Sequence, residues 1–99
     1  MTAAPPDGQP LEAASDLLRA LASPVRLRIV RELASGGKHV RELVATLGVS
    51  QPLVSQHLRV LRGSRIVTAR RQAREIEYTL TDDHVAHIVL DAIRHAAET

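Results

Sequence analysis

The sequence predicts a mainly α-helical fold with a small β-hairpin, ordered α-α-α-α-β-β-α along the chain. The 99 residues are 44% apolar but only 1% aromatic, a composition typical of a small helical protein with an aliphatic core. Apolar residues recur at helical spacing in stretches before residue 63 and again after residue 81. Between them, residues 75–80 alternate apolar and polar side chains, which is the pattern of a half-buried strand.

A single domain is expected over residues 11–99, preceded by a disordered tail at residues 1–10 that is rich in proline and glycine. The chain has no cysteine, which excludes disulfides and thiolate metal sites and suits a cytoplasmic protein. It also has no long apolar run and no basic-then-apolar leader. We therefore expect neither a membrane span nor a signal peptide.

The first two helices are expected at residues 11–22 and 25–35. Between them, Ser23 can cap the second helix, and Pro24 suits its first position because a backbone N–H there has no helical partner. The glycine pair at residues 36–37 would end that helix.

A helix-turn-helix unit is predicted at the centre of the chain. Its first helix covers residues 39–47, and its glycine-bearing turn covers residues 48–50, with Ser50 as the cap of the next helix. The inner face of this fourth helix is expected to be apolar apart from one histidine: Leu53, Val54, His57, Leu58, Val60 and Leu61. The outer face holds Gln51, Pro52, Ser55, Gln56, Arg59 and Arg62.

That outer face has side chains suited to the major groove of DNA. Glutamine can bond adenine through two contacts, serine can donate or accept, and Pro52 can touch a thymine methyl. The candidates for reading bases are therefore Gln51, Ser55 and Gln56, and Arg59 is a candidate for contacting the backbone. An ordinary polar helix face would usually hold pairs of glutamate and lysine instead, and this face has none.

A β-hairpin is predicted from strands at residues 66–71 and 74–80. The residues of the second strand expected to face inward are Ile76, Tyr78 and Leu80. The tip, at residues 70–74, carries three arginines: Arg70, Arg71 and Arg74. We interpret this projecting hairpin as a wing suited to phosphates or a narrow minor groove, with a merely solvated loop as the alternative.

Charge is unevenly distributed, although the formal net charge is only +2. Residues 59–74 carry six arginines and no acid, whereas residues 75–99 carry six acids and one arginine. A basic middle suits a polyanion, and double-stranded DNA fits a helix-turn-helix beside a wing. The acidic, histidine-bearing end suits a cation. The alternative is two solvated faces of opposite sign, and no small organic substrate is expected.

The last helix, at residues 81–99, presents a polar arc beside an apolar stripe. The arc holds three histidines and two acids: His84, His87, Asp91, His95 and Glu98. The stripe is wider than a solvent-facing terminal helix requires: Val85, Ile88, Val89, Ala92, Ile93 and Ala96. Two such helices packed across a two-fold axis would cover it, so we expect a homodimer.

The polar arc also indicates a metal site shared between two chains. His84 and His95 are eleven residues apart, about 16 Å along a helix, whereas zinc ligands lie within about 2.0 to 2.2 Å of the ion. Antiparallel helices would bring Asp82 and His84 of one chain beside a second pair, His95 and Glu98 of its partner. Two nitrogen and two oxygen donors fit Zn(II) best, with Co(II) a surrogate and Ni(II), which wants more ligands, ranked lower.

The remaining polar residues are expected to have lesser roles. Asp82 is out of helical phase with His84, so it can bind metal only if the helix begins there with non-helical geometry; otherwise it stabilises the helix dipole. His57 is expected to be structural and His39 to be solvated. The other two members of the arc, His87 and Asp91, are candidates for hydrogen-bonding a ligand.

The whole pattern, over residues 17–98, resembles the ArsR-SmtB family of bacterial metal-responsive repressors. The segments LASPVRLRIV, VSQPLVSQHLRVL and EIEYTL are similar to its second helix, recognition helix and wing. The terminal set of Asp82, His84, His95 and Glu98 is similar to the pattern by which zinc sensors of this family bind metal between C-terminal helices. The resemblance implies a homodimer that binds an operator palindrome when metal-free and releases it when metal binds.

The chain departs from the family pattern at two wing positions. The family often has glycine where this chain has Arg65 and Ala73, and left-handed geometry is costlier for other residues. This chain also lacks the third-helix cysteines by which some members of the family sense metals.

The residues leave three alternatives to a metal sensor. A winged-helix regulator that senses no metal would use its histidines only to pack the dimer. A purely structural helical dimer would leave the arginines of the wing without a role. An enzyme is disfavoured, because the chain has no HExxH motif, no glycine-rich phosphate loop and no nucleophile with an evident base.

Overall fold

The computed structural model describes the backbone of residues 9–98 and the side chains of residues 10–98. The elements within this range are α1 (Gln9–Leu21), α2 (Pro24–Leu33), β1 (Lys38–His39), α3 (Val40–Leu47), α4 (Gln51–Gly63), β2 (Val67–Gln72), β3 (Glu75–Leu80) and α5 (Asp83–Ala97). The predicted class, helical with one hairpin, is confirmed.

The first helix begins earlier than predicted. Gln9 and Pro10, which were assigned to the tail, form the first turn of α1, where proline is tolerated. The rest of the predicted tail, residues 1–8, lies outside the described residues. No helix of the described part of the chain is long and apolar enough to cross a membrane.

Short capping signals set the boundaries of the central helices. Ser23 Oγ accepts a hydrogen bond from the Arg26 backbone N–H at 3.3 Å, and Pro24 follows it as predicted. Ser50 Oγ likewise accepts from the Leu53 N–H at 3.4 Å, which starts α4. Gly48 ends α3 with φ 68°, the left-handed conformation that favours glycine. The predicted helix-turn-helix therefore forms from local sequence.

Helix α2 contacts α1, α3, α4 and α5 and forms the centre of the molecule. The buried core is aliphatic: Ala20, Leu21, Ile29, Val30, Leu33, Leu43, Leu47, Val54, Leu58, Leu61, Ile66, Val67, Val85 and Val89. The predicted inner face of α4 was too wide, because Leu53 and Val60 are each 39% exposed. The buried side chains of α4 form a narrower stripe at Val54, Leu58 and Leu61.

The sheet has three antiparallel strands in the order β1-β3-β2. The two-residue strand β1 was not predicted; it pairs His39 with Glu77 of β3. The hairpin register runs from Val67 opposite Leu80 to Gln72 opposite Glu75. Ile76 was expected to face inward with Tyr78 and Leu80; those two pack against the core, whereas Ile76 is 38% exposed. It lies near the tip, opposite Arg71, where it lines a surface cleft with Val40.

The two positions that depart from the family pattern both adopt left-handed backbone geometry. Arg65, just before β2, has φ 60°, and Ala73 in the hairpin turn has φ 54°. The chain thus keeps the geometry that glycine favours while carrying side chains, at a cost of roughly 1–2 kcal/mol for each residue. The connection into the wing and the turn at its tip are therefore both strained.

Helix α5 divides its apolar stripe between two uses. Val85 and Val89 are buried against the chain's own core, with Ala86 beside them. The outer part of the stripe stays exposed: Ile88, Ala92 and Ala96. The expectation that a partner must cover the whole stripe is therefore wrong for its inner edge.

Candidate DNA interface and metal site

The recognition helix α4 presents its predicted base-reading residues in its first two turns. Gln51, Pro52 and Gln56 are exposed, and Ser55 is half-buried. Residues near the start of such a helix reach base edges when it enters a major groove. Arg59, one turn further along, is also exposed, as suits a contact with the DNA backbone.

The wing arginines do not form one patch. Arg70 and Arg71 are exposed neighbours on β2, and successive side chains of a strand point to opposite faces. Arg74, in the two-residue turn, borders a cleft of about 350 Å³ that is also lined by Gln51 and Arg41. The wing tip and the start of the recognition helix therefore border the same cleft.

The same cleft contains an ion pair that no sequence pattern predicts. Arg41 Nε lies 2.5 Å from Glu75 Oε1, and Arg41 Nη2 lies 3.2 Å from Glu75 Oε2. The two residues are 34 positions apart and belong to α3 and β3, so no local pattern links them. The guanidinium, first through its hydrogen bond and then through its charge, holds the pKa of the Glu75 carboxyl below its ordinary value.

His39 lies beside this ion pair and is not solvated as predicted. Its side chain is only 21% exposed, with Nδ1 at 3.1 Å from Glu42 Oε1 and 3.8 Å from Glu75 Oε2. Its Nε2 lies 3.2 Å from Gln72 Oε1 on the wing. The His39 backbone N–H donates to Glu42 at 2.8 Å and lowers the pKa of that carboxyl. The prediction failed because β1, which carries His39 to the wing, was missed.

His57 holds the inner side of α4 against the helices behind it, as predicted for a structural histidine. Arg26 Nη1 lies 3.1 Å from His57 Nδ1, and Arg26 Nε donates to the Ala20 carbonyl. A guanidinium can only donate, so the His57 Nδ1 must be the acceptor and the neutral ring carries its proton on Nε2. Burial, and then the charge of Arg26, lower the pKa of His57.

This lowered pKa predicts a loss of stability on mild acidification. An unfolded chain takes up a proton on histidine near pH 6.5, whereas folded His57 does so at a lower pH. Between these values the unfolded state binds more protons, so the free energy of unfolding falls as pH falls below about 6.5. Urea unfolding at several pH values between 7.5 and 5.5 measures this slope.

His57→Gln is the matched variant for that measurement, since glutamine can still accept from Arg26 but does not titrate. We expect a shallower dependence of its unfolding free energy on pH. Equal slopes for the two proteins would contradict the assignment. The carboxyls of Glu42 and Glu75, whose pKa values lie below the ordinary 4.5, titrate outside this window.

Two of the predicted metal ligands, Asp82 and His84, lie close together at the start of α5. Asp82 is the N-cap, with φ −157°, and its Oδ1 accepts from the His84 backbone N–H at 2.9 Å. The same oxygen lies 3.7 Å from His84 Nδ1, and the His84 side chain is 87% exposed. Asp82 thus caps the helix, and its non-helical backbone places its carboxylate beside His84, while its role as a metal ligand stays a prediction.

The other predicted donors, His95 and Glu98, are exposed at the opposite end of α5. Within residues 10–98 of a single chain, no three histidine or acidic side chains come close enough to hold a metal ion. The donor types, two imidazoles and two carboxylates, nevertheless suit a divalent cation. Of the other polar residues on this helix, His87 is exposed, and Asp91 lies 3.9 Å from Arg94 in an ion pair.

The chain is similar over most of its length to known bacterial regulators. A family model described as bacterial regulatory protein, arsR family, matches residues 23–69, which span α2 to the first half of β2. The HTH-type transcriptional repressor SmtB of Mycobacterium tuberculosis is 55% identical over 95 residues, covering 96% of this chain and 70% of that protein. The HTH-type transcriptional regulator NmtR of the same organism is 41% identical, covering 94% of this chain and 78% of that protein.

A solved structure agrees with the fold. The crystal structure of the transcriptional repressor BigR from Xylella fastidiosa aligns with a TM-score of 0.76 and 41% sequence identity, covering 82% of this chain and 83% of that one. Neither the enzyme nor the purely structural dimer fits these matches. The chain belongs to the arsR family of bacterial regulatory proteins, DNA-binding transcription regulators with a winged helix-turn-helix, as its capped recognition helix and basic wing indicate.

Proposed function

We propose that this protein is a metal-responsive repressor. As a homodimer it binds an operator palindrome when metal-free, and it releases the DNA when Zn(II) or a similar divalent ion binds between the C-terminal helices. The observation that carries the proposal is the division of donors between the ends of α5. Asp82 and His84 are adjacent at one end, while His95 and Glu98 lie at the other. An antiparallel partner helix would complete two equivalent four-donor sites.

The exposed apolar residues of α5 support this dimer. Ile88, Ala92 and Ala96 recur at every fourth position and stay exposed, with Ile88 at 42%. At about 100° per residue, this stripe begins roughly 40° from His84 and so borders the donor arc. A second helix packed on the stripe would therefore place its own donors at the edge of the contact. Helix α1 offers further apolar surface at Leu11 and Leu18, which are 72% and 53% exposed.

The donor chemistry supports zinc in this site. Two imidazole nitrogens and two carboxylate oxygens suit a tetrahedral d10 ion, and Co(II) would adopt the same site, while Ni(II) favours a larger ligand set. Asp82 can serve as cap and ligand together, because a carboxylate has two oxygens and its Oδ1 alone accepts the helix N–H. Bound metal would link the two α5 helices and fix their relative orientation.

The DNA would be contacted by the two recognition helices and wings of the dimer. Gln51, Ser55 and Gln56 would read bases in successive major grooves about 34 Å apart, with Pro52 against a thymine methyl. Backbone contacts would come from the arginines: Arg59, Arg70, Arg71 and Arg74. Metal between the α5 helices would favour a dimer geometry whose recognition helices miss this spacing. By reciprocity, operator DNA would weaken metal binding by the same factor.

A titration of DNA affinity against metals tests the proposal. A labelled duplex, selected for binding from a random-sequence library, is bound to the metal-free protein and followed by fluorescence anisotropy. We expect Zn(II) to weaken binding by about 5-fold to 150-fold, the usual range of allosteric coupling. Co(II), Ni(II) and Cd(II) are compared at equal free concentration, and excess chelator should restore binding. An unchanged affinity with all four ions would overturn metal sensing.

A second candidate is a winged-helix repressor of the same fold that senses no metal. The capping bond from the His84 N–H to Asp82 favours it, because this bond gives Asp82 a structural role without a metal. The same titration separates the candidates, since this repressor would select a palindromic duplex and keep its affinity in every metal.

A further inference from the structure

The tip of the wing is attached to α3 on both of its sides. Gln72 and Glu75 flank the Ala73–Arg74 turn, and each contacts a residue at the start of α3. Gln72 Oε1 lies 3.2 Å from His39 Nε2, and Glu75 makes the two-contact ion pair with Arg41. The sequence predicted a hairpin that projects from the domain, but these contacts hold the tip of the wing against α3. Its last pair of residues is tied to the helix-turn-helix.

The presence of an acidic residue, Glu75, beside the tip of the wing requires an explanation. Glu75 lines the cleft shared by Gln51 and Arg74, the side of the molecule that faces DNA in the proposed function. A carboxylate near DNA phosphates lowers affinity through charge repulsion. Its ion pair with Arg41, which is 74% exposed, also contributes little to the stability of the fold. Neither DNA attraction nor folding stability accounts for Glu75 in this cleft.

The geometry of the turn indicates what the ion pair does. Beyond the pair formed by Gln72 and Glu75, the chain reverses through Ala73 in the left-handed conformation. Arg74 occupies the second position of that turn, so its direction depends on how the tip is held. Contacts on both sides of the turn restrain the twisting of a two-stranded ribbon, which is otherwise marginally stable at its end.

We propose that Glu75 and Arg41 are positioning residues that clamp the wing tip to α3, with His39 and Gln72 as the second arm of the clamp. The clamp holds Arg74 at a fixed place relative to Gln51, so that wing and recognition helix engage DNA together. This inference rests on the proposed DNA binding and assigns a role to residues that do not themselves need to touch DNA. Loosening the clamp adds an entropic cost to binding, because the tip must then be ordered on the DNA.

Glu75→Gln gives a test in which a charge effect and a positioning effect predict opposite changes in DNA affinity. Removing a carboxylate next to DNA should tighten binding if charge alone matters. If the clamp matters, binding should instead weaken, by roughly threefold to tenfold for a coupling of this kind. Glu77→Gln is the matched control, since it removes the same charge two residues along β3 and leaves the Arg41 pair intact. Gln72 Nε2 donates to Glu77 Oε1 at 3.4 Å, and a glutamine at position 77 keeps an oxygen that can accept this bond. We expect Glu77→Gln to bind the selected duplex as tightly as wild type or more tightly.

Two further measurements separate positioning from a merely structural role. Arg41→Glu with Glu75→Arg reverses the pair, and the double variant should bind DNA more tightly than the sum of the two single free-energy changes predicts. In the free protein, backbone NMR order parameters of Ala73 and Arg74 should fall in Glu75→Gln from rigid values near 0.85 toward about 0.6, with unchanged values in Glu77→Gln. The thermal unfolding midpoint should barely move in either glutamine variant.

Tighter DNA binding by Glu75→Gln, or unchanged order parameters at the tip, would overturn the clamp. So would a double variant whose change in binding free energy equals the sum of the two single changes. If the wild-type protein binds no selected duplex at all, the proposed function fails, and the role of the clamp on DNA fails with it. The order parameters of the free protein would then still decide whether the tip is held.

Discussion

Replacing His95 by alanine is expected to abolish the effect of zinc on DNA binding while leaving the dimer and its DNA affinity intact. His95 would supply one of only two nitrogen donors to each site, and it is exposed in the single chain, where its loss disturbs no core contact. We expect zinc affinity to fall by more than about 100-fold, because even residues behind the ligands commonly cost 10-fold to 100-fold. Competition with a zinc-binding dye and anisotropy with the selected duplex measure the two effects.

His87→Ala is the matched control for this variant. His87 is another exposed histidine of α5 and shares the polar arc, but it does not belong to the proposed donor set. It should keep the zinc response nearly unchanged. A full response in His95→Ala, or an equal loss in both variants, would contradict the assignment of His95 as a ligand.

Mixing two inactive variants tests whether the site is shared between chains. In a heterodimer of His84→Ala and His95→Ala, one site lacks both histidines, and the other has His84 from one chain and His95 from its partner. Mixed dimers should therefore regain one zinc site per dimer. A site contained within a single chain could not be restored in this way, so an absence of recovery would exclude sharing.

Leu61→Ala is expected to produce a large loss of stability. Leu61 is fully buried on the inner stripe of α4. Truncation removes buried methyl groups and leaves a cavity, which costs about 2–5 kcal/mol of unfolding free energy. For a domain of this size we expect the thermal midpoint to fall by roughly 10 °C or more. Urea unfolding followed by circular dichroism measures the loss.

Val60→Ala is the control, one residue away on the same helix. Val60 is 39% exposed, and alanine has the higher helix propensity, so the free energy of unfolding should change by no more than about 0.5 kcal/mol. Comparable losses at both positions would mean that the apolar face of α4 is wider than the stripe through Leu61.

The capping and turn residues made much of the fold predictable from sequence. Ser23 with Pro24, and Ser50 with Pro52, place the starts of α2 and α4 because their effects act within one helical turn. Gly48 ends α3 in the same local way. The alternation in residues 75–80 gave the wing strand. Strand β1 escaped prediction because two residues carry no periodicity, and its pairing with β3 is formed across the fold.

Predicting the candidate metal site required less knowledge of the tertiary structure than predicting the DNA-facing surface. The spacing of His84 and His95 follows from helix geometry, so sequence could argue that one chain cannot close the site. The structure adds that Asp82 is the N-cap and lies beside His84. Helical periodicity places Val85 and Ile88 on the same apolar stripe and cannot tell them apart. The packing of α2 against α5 decides that Val85 is buried and Ile88 is exposed.

Sequence by itself determined the fold class, the position of the recognition helix, the basic wing and the fact that one α5 helix cannot bring His84 and His95 to the same ion. Those features depend on helix periodicity, capping and charge, which act between residues close together in the chain. Only the tertiary structure decided that the wing tip is tied to α3 through Arg41 and Glu75 and that His39 contacts Gln72 of the wing. These contacts join residues more than 30 positions apart, and their geometry is set by how the sheet packs on the helices.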